Sequence, residues 1–274
     1  MFPHALKSIW KESYIVYSNI KASQNVIGLQ QITSHGSLIE ITDYQNNERV
    51  EITFLATGYK KYISWRTFQK NKNIVSPYCK TVYGIGYLGE GDYPAFIDQK
   101  KTKCYMTWTD MIKRCYDEND TKHTTYKDCE VCEEWHCYQN FAQWYQDNYY
   151  EIDNELMNLD KDILIKGNKI YSPETCIYVP ARINNLFTKS NASRGNLPIG
   201  VSIHQGHYKA HMSKLINGKK QIKYYGKYDT PEKAFEHYKQ IKEEYIKEVA
   251  EEYCGLIPDT LYFALYAYEV NIDD

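Results

Sequence analysis

The sequence of 274 residues predicts an α+β fold arranged in two or three small domains. Three observations predict this class. Apolar and polar residues alternate in two runs, 37–44 and 49–55, as they do in half-buried strands. Residues 104–118 instead repeat apolar side chains at helical spacing. In 195–254, three short strand-like runs precede one long helical pattern.

The first 82 residues predict a helix followed by a small β-rich domain. Apolar residues at helical spacing indicate an amphipathic helix within 1–22. The two alternating runs are joined by the polar segment 45–48, which predicts a hairpin, and 63–68 predicts a third strand. Four glycines and a proline within 83–94 then predict a linker over 83–100.

Residues 101–188 predict a second domain in which two helices precede a ββα unit. Trp108, Met111, Ile112 and Cys115 give the first helix one apolar face, and a second helix is predicted over 138–149. Strands are then predicted over 158–163 and 170–179, with a turn at 166–168 and a helix from Pro180. A ββα unit of this kind can hold a metal and a catalytic group between its hairpin and its helix.

Residues 195–254 predict a three-stranded antiparallel sheet followed by one long helix. Asp229 or Thr230 is expected to cap this helix, with Pro231 in its first turn. The aromatic extension 255–274 either packs back on the body of the protein or forms a homodimer contact, and the sequence leaves both open.

The charge distribution predicts a phosphate-binding surface. The formal net charge is only -2, yet residues 189–228 contain eight Lys or Arg, three His and no Asp or Glu. A stretch of forty residues without a carboxylate is typical of a surface that contacts nucleic acid. Residues 229–274 carry twelve acidic and four basic residues, and this acidic segment hides the basic one in the total.

Composition predicts an intracellular protein that does not enter a membrane. No apolar run approaches the roughly 20 residues of a membrane span, and the first residues lack the pattern of a secretory signal. Eight cysteines in 274 residues are too sparse for a disulfide scaffold, so reduced thiols are expected. Four of them form the natural set for a structural Zn²⁺ site: Cys115, Cys129, Cys132 and Cys176. Packing of buried thiols in the core is the alternative.

The C-terminal segment 195–254 resembles the Apetala-type (ethylene-response-factor-like) DNA-binding domain. The matching residues are Gly200, Val201, Tyr208, Lys209, Ala210, Tyr225–Thr230, Glu232, Ala234 and Tyr238. In that family the sheet lies in the major groove of DNA and the helix packs behind it. Period two then directs Tyr208, Ala210 and Met212 toward the helix. The residues expected to contact double-stranded DNA are Arg194, Ser202, His204, Lys209, His211, Ser213, Lys219, Lys220, Lys223 and Tyr224. Lys and His replace the arginines of the family, so contacts to the DNA backbone are expected to dominate.

The middle segment 101–188 resembles the HNH domain of phage-type homing endonucleases. The residues that carry the resemblance are Trp108, Met111, Arg114, Cys115, Val131, Cys132, Trp135, Phe141, Leu159–Asp162, Gly167, Asn168, Tyr171–Pro173, Cys176 and Asn184. The order of an HNH domain followed by an Apetala-type domain is itself a phage-nuclease arrangement. The resemblance implies a divalent metal, such as Mg²⁺, and hydrolysis of a phosphodiester.

The resemblance departs from the HNH pattern at the general base. A histidine usually ends the first strand, whereas this chain has LDKDIL there and no histidine between His136 and His204. Asp160 or Asp162 would then bind the metal or act as the base, and Asn168 and Asn184 would orient water or ligate. Loss of catalysis with retention of the fold is equally compatible with this substitution.

The sequence therefore predicts a DNA-binding protein of phage type, acting in the cytoplasm of a bacterial host, that nicks or cleaves duplex DNA with a metal. The competing class is a non-catalytic protein that regulates DNA or acts in anti-defence by binding a host protein. A zinc-stabilised structural protein is a third alternative. Homodimers or higher oligomers are compatible with each of these functions.

Overall fold

The computed structural model describes residues 25–119, 121, 126, 128–188, 195–216, 219–272 and 274, with only the backbone described for 215, 216, 219 and 220. The chain divides into two compact units, Met1–Tyr145 and Gln146–Asp274. Both contain helices and antiparallel strands, so the predicted α+β class is confirmed. The boundary between the units falls within the segment 101–188. The helix predicted within 1–22 lies outside the described residues.

The N-terminal unit contains a four-stranded antiparallel sheet whose strands follow one another in chain order. The strands are β1 (Gln30–Ile32), β2 (Leu38–Asn46), β3 (Arg49–Phe54) and β4 (Lys60–Ile63). Alternation along β2 and β3 buries one face, which comprises Ile39, Ile41, Val50, Ile52 and Phe54. The predicted hairpin is confirmed, and its turn is at Asn47 and Glu48.

The prediction of a strand over 63–68 is wrong. Strand β4 ends at Ile63, and helix α1 occupies Trp65–Lys70. The Ser64 side chain accepts a hydrogen bond from the backbone N–H of Thr67 at 3.1 Å, which caps the helix. Trp65 and Phe68 are buried with their rings stacked 5.6 Å apart. The aromatic side chains that suggested a strand therefore pack a short capped helix onto the sheet.

The glycine-rich segment 83–100 packs closely against the rest of the N-terminal unit. A Cβ atom at Gly86 would come within 2.8 Å of the Trp108 ring, and a Cβ atom at Gly91 would overlap the side chain of Gln139. Strands β5 (Phe96–Ile97) and β6 (Lys100–Lys101) form a small hairpin at its end. The glycines here allow the backbone to lie directly on side chains, so this segment belongs to the packing of the unit.

The two helices predicted from spacing in this region are present as α2 (Lys103–Tyr116) and α3 (Tyr138–Asn148). Between them lie β7 (Glu130–Val131) and a 3₁₀ turn, Glu133–His136. Trp108, Met111 and Ile112 are buried on one face of α2, as their spacing predicts. The indole N–H of Trp108 donates to the carbonyl oxygen of Trp135 at 2.7 Å, which ties α2 to the 3₁₀ turn.

The predicted ββα segment has shorter elements than the sequence suggests. Strands β8 (Met157–Asp160) and β10 (Ile177–Pro180) pair antiparallel, β9 covers Ile170–Tyr171, and α4 covers only Ala181–Asn184. The first strand stops early because the Asp160 carboxylate accepts hydrogen bonds from the N–H groups of Asp162 and Ile163, which turns the chain. The second predicted strand is interrupted by a turn in which the Ser172 carbonyl accepts from Cys176.

The end of the chain follows the predicted order of three strands and a helix. The elements are β11 (Val201–His204), β12 (His207–Ile216), β13 (Lys219–Tyr228), α5 (Pro231–Glu252) and α6 (Asp259–Tyr266). The strands form one antiparallel sheet with β12 in the centre. Thr230 caps α5, since its hydroxyl accepts from the N–H of Lys233 at 3.3 Å. No helix in the described part of the chain is long and apolar enough to span a membrane.

Helix α5 covers one face of this sheet and forms the core of the C-terminal unit. Val201, Ala210 and Met212 from the sheet are buried in one cluster with Ala234 and Tyr238 from the helix. Gly200 has a positive φ of 71°, and a Cβ atom there would overlap the Tyr238 ring. The 255–274 extension joins the same cluster through Leu261, Leu265 and Val270, so it packs back on its own unit.

Substitution of Gly200 by Ala is expected to destabilise this unit more than the matched change Gly206→Ala. Both glycines have a positive φ, at 71° and 76°, which an alanine adopts at a cost of about 1–2 kcal/mol. Only Gly200 faces the Tyr238 ring, whereas Gly206 has open space around its Cα. Urea unfolding should therefore show Gly200→Ala to be lower in unfolding free energy by about 2 kcal/mol more. Equal losses would mean that the ring moves aside without penalty.

Candidate nucleic-acid interface

The face of the β11–β13 sheet opposite α5, which we call the outer face, gathers polar and basic side chains. Cross-strand partners share a face, so the register fixes its members. The pairs are Ser202 with Lys209, His204 with His207, His211 with Tyr224, and Ser213 with Ile222. Six residues expected at the DNA surface from the sequence therefore lie together, namely Ser202, His204, Lys209, His211, Ser213 and Tyr224.

Tyr224 lies on the outer face in the edge strand β13. Its side chain is 59% exposed, its ring centroid is 5.8 Å from that of His211, and Lys209 Nζ is 5.8 Å from the Tyr224 ring. Neighbouring Ile222 is also 57% exposed. None of the residues of β11, β12 or β13 is an aspartate or glutamate. The outer face thus combines an exposed aromatic ring with a lysine cation, and the three strands that form it contain no carboxylate.

His211 is half-buried on this face, and burial lowers the pKa of its imidazole below the ordinary value of 6.5. Its Nδ1 atom is shielded from solvent and has no hydrogen-bond partner among the described residues. A neutral imidazole with an unsatisfied nitrogen is a group that gains free energy when a ligand supplies the missing partner.

Lys223 is separated from the other predicted DNA contacts by the register. It lies opposite Met212, on the side of the sheet that faces α5, and its Nζ is 5.4 Å from the Tyr225 ring. Adjacent residues of a strand point to opposite faces, so Lys223 and Tyr224 diverge. Arg194 and the side chains of Lys219 and Lys220 lie outside the described residues.

His207 and Ile222 are members of the outer face that were not among the residues predicted from the sequence. The sequence signal for His207 is its spacing along β12. It lies two residues before Lys209 and four before His211, and residues two apart on a strand point to the same face. Ile222 is two residues before Tyr224 on β13 and follows the same rule. An exposed isoleucine on a polar strand is an apolar contact surface rather than part of the core.

The LDKD segment forms a tight turn at the end of β8. Asp160 Oδ1 accepts from the N–H groups of Asp162 and Ile163 at 2.9 and 2.7 Å. Burial and the neighbouring Asp162 raise the pKa of Asp160 from 3.8 to about 6. The buried Lys161 ammonium contacts the Asp162 carboxylate at 3.2 Å. Asp160 therefore has a structural role in the turn, whatever else it does.

The two asparagines proposed from the sequence have different structural roles. The Asn168 amide donates to the carbonyl oxygens of Lys161 and Ile170, at 2.7 and 2.6 Å, and so closes the loop after the LDKD turn. Asn184 ends the short helix α4 and is half-buried. Its backbone carbonyl accepts from Phe187, which continues the turn beyond the helix.

The cysteines of the predicted zinc set belong to different units of the chain. Cys115, Cys129 and Cys132 lie in the N-terminal unit, and Cys176 is buried in the C-terminal unit. Within the described residues, no group of three or more His, Cys, Asp or Glu side chains is arranged to hold a metal ion. The zinc and magnesium sites stay predictions.

Comparison of this chain with models of known protein families, with curated proteins and with solved structures finds no match. The interface is therefore interpreted from its own residues and geometry.

Asp160→Asn is expected to be more stable than Asp160→Ala at pH 7, because both substitutions remove the same carboxylate and only asparagine keeps an acceptor for the turn. Alanine leaves two backbone N–H groups without their acceptor and should have an unfolding free energy about 2 kcal/mol lower than that of the asparagine variant. Asparagine keeps an acceptor oxygen and removes a carboxylate whose pKa is raised to about 6, so it should stabilise by about 1–3 kcal/mol.

The pH dependence provides the control for this pair. A raised pKa means that folding takes up a proton, so this group lowers wild-type stability as pH rises from about 4 to about 6. Asp160→Asn should lack that decline and should lose its advantage below pH 4. Urea unfolding between pH 3.5 and 8 measures both effects. A pH-independent difference between the two proteins would contradict the burial of a charged carboxylate.

Proposed function

We propose that this chain binds duplex DNA through the outer face of the β11–β13 sheet. The observation that carries the proposal is the convergence of Lys209, His211 and Tyr224 on one exposed face whose strands contain no carboxylate. Basic and aromatic groups without competing acids are the features with which proteins contact phosphates and bases.

Segregation of charge supports the same function. The α5 helix carries seven glutamates and four lysines, and it covers the opposite face of the sheet. One of those glutamates, Glu248, accepts from Lys214, a sheet residue that points toward the helix, at 3.0 Å. Repulsion between phosphates and the acidic helix would favour approach from the outer face. A net charge near zero is thus compatible with an oriented DNA surface.

The side chains of the outer face favour a tolerant mode of recognition. Lysine binds phosphate as a point charge and lacks the planar fork with which arginine reads guanine. Tyr224 and Ile222 supply ring and apolar contacts that every base or sugar can satisfy. A twisted antiparallel ribbon such as β12–β13 fits the width of the major groove. We therefore expect modest sequence preference and strong dependence on salt.

Lys209→Met is expected to weaken binding to a random-sequence duplex about fivefold at 0.1 M salt. Loss of one phosphate contact should also reduce the slope of log affinity against log salt concentration by about 1. The matched control is Lys233→Met, which removes a lysine from the first turn of α5, away from the outer face. Fluorescence anisotropy over 50–300 mM NaCl measures both quantities. Equal effects of the two substitutions would assign the affinity to net charge and reject the outer face.

DNA cleavage is a second candidate function, favoured by the carboxylates at the end of β8. The Asp162 carboxylate is close enough to contribute to the raised pKa of Asp160, and both residues precede β10 and α4 in a strand, strand, helix order. Paired carboxylates suit Mg²⁺ or Mn²⁺, and such a metal would stabilise the leaving oxygen of a phosphodiester. Asp160 Oδ1 already accepts hydrogen bonds from two N–H groups. A metal at this site would therefore be left with the other carboxylate oxygens of Asp160 and Asp162.

Nicking of supercoiled plasmid with Mg²⁺, Mn²⁺ or EDTA tests this second function. If the carboxylates act, the wild-type protein nicks with metal, and the double variant Asp160→Asn/Asp162→Asn loses more than about 100-fold in rate. The amide oxygen introduced at position 160 keeps the acceptor of the turn, so this variant is expected to fold. Asp98→Asn is the matched control, because this exposed residue has a positive φ of 48° that asparagine tolerates.

The outcomes of this assay separate the competing functions. Folded wild-type protein that shifts DNA without nicking it would be a binding protein, as the geometry of Asp160 favours. Nicking that persists in the double variant would place the reaction elsewhere in the chain. Failure to shift DNA would reject the proposed function, and a protein partner from the host would then be the function to test.

A further inference from the structure

Ile222 is an exposed isoleucine among the polar side chains of the outer face. Its side chain is 57% exposed, and its cross-strand partner is the small residue Ser213. Tyr224, which is also exposed, lies two residues farther along β13 and on the same face. The strands of the sheet contain no carboxylate, so neutral and basic side chains surround this apolar pair on the strands.

Ile222 lies outside the apolar core that the described residues of its unit form. Sheet residues of the opposite face, such as Ala210 and Met212, build that core together with α5. The side chain of Ile222 is stiff about χ1 because it is branched at Cβ, so it holds its methyl groups in place at little cost in conformational entropy. It is therefore suited to contact an apolar group of a ligand.

The major groove of DNA presents one kind of apolar group at the edges of its base pairs. This group is the C5-methyl of thymine, and the other groups that distinguish the base pairs there are hydrogen-bond donors and acceptors. Contact between an apolar side chain and this methyl is one mode of direct readout. Ile222 can contact any base, but thymine alone offers it an apolar partner in unmodified DNA.

We infer that Ile222 contacts the 5-methyl groups of pyrimidines in the major groove and so makes the outer face favour thymine. The inference rests on the proposed binding of duplex DNA by this face. Residues two apart on a strand are separated by about 6.7 Å, and base pairs are stacked about 3.4 Å apart. With β13 lying along the groove, Ile222 and Tyr224 contact different base pairs, so the thymine preference belongs to Ile222.

Fluorescence anisotropy of the full chain with two duplexes tests this inference. The duplexes share one sequence, rich in A·T pairs, and differ only in having thymine or uracil, which lacks the methyl group. Wild-type protein should bind the thymine duplex about fourfold more tightly, as expected for burial of one methyl group. Ile222→Ser removes the apolar contact and should bind both duplexes equally.

The matched control is Ile203→Ser in strand β11 of the same sheet. Ile203 is 58% exposed, but it pairs with Tyr208, which packs toward α5, so it lies on the other side of the sheet. This variant should keep the preference of the wild-type protein. Replacement of thymine by uracil also changes base stacking, and that change acts equally on all three proteins. The control therefore separates it from loss of the methyl contact.

Methylation of cytosine gives an independent second comparison. A duplex rich in G·C pairs is compared with the same duplex containing 5-methylcytosine, whose methyl group projects into the major groove as that of thymine does. Wild-type protein and Ile203→Ser should bind the methylated duplex more tightly, by about fourfold, and Ile222→Ser should not. Agreement of the two comparisons would assign the preference to the methyl group rather than to A·T content.

The outcomes separate this inference from the function on which it rests. Equal binding of the thymine and uracil duplexes by wild-type protein would reject the inference and leave DNA binding by the outer face in place. A preference that persists in folded Ile222→Ser protein would also reject it, because another residue would then contact the methyl group. Failure to bind any duplex would reject the proposed function and the inference with it. Thermal melts followed by circular dichroism establish that the variants fold.

Discussion

The packing of α5 against the inner face of the β11–β13 sheet is the contact on which the arrangement of the outer face depends. Gly200 lies directly against the Tyr238 ring, and this close approach sets where β11 begins. Once Val201, Ala210 and Met212 face the helix, period two directs Ser202, Lys209 and His211 to the other side. Burial of a small apolar set thus determines which polar residues are exposed.

The same contact separates opposite charges that are close in sequence. The basic strands and the acidic helix follow one another along the chain, and without the sheet–helix packing their charges would largely cancel. Packing places the carboxylates of α5 behind the sheet, where Lys214 pairs with Glu248 and Arg182 with Glu252. The outer face then presents an oriented field although the net charge of the whole chain is -2.

Much of this arrangement can be predicted from the sequence, because it follows from period and capping. The alternation in β2 and β3, the apolar face of α2 and the cap of α5 at Thr230 each depend on neighbours within a few residues. Lys223 and Tyr224 are neighbours on β13, so the two-residue period of a strand places them on opposite faces of the sheet. The same period, applied to the sequence, predicts that Lys223 does not lie beside Tyr224.

The wrong predictions arise where a side chain accepts backbone hydrogen bonds that the predicted strand would otherwise use. The Ser64 hydroxyl starts a helix within a run of residues that favour strands, and the Asp160 carboxylate ends β8 by bonding two N–H groups.

The environment of His211 bears on the proposed binding of phosphate by the outer face. Its ring lies beside Tyr224, with the centroids 5.8 Å apart, and its backbone N–H donates to the Gly200 carbonyl. Burial favours the neutral imidazole, and a phosphate nearby favours the protonated form. Phosphate binding at the outer face would therefore be linked to proton uptake at this ring. Linkage is reciprocal, so lower pH would strengthen that binding.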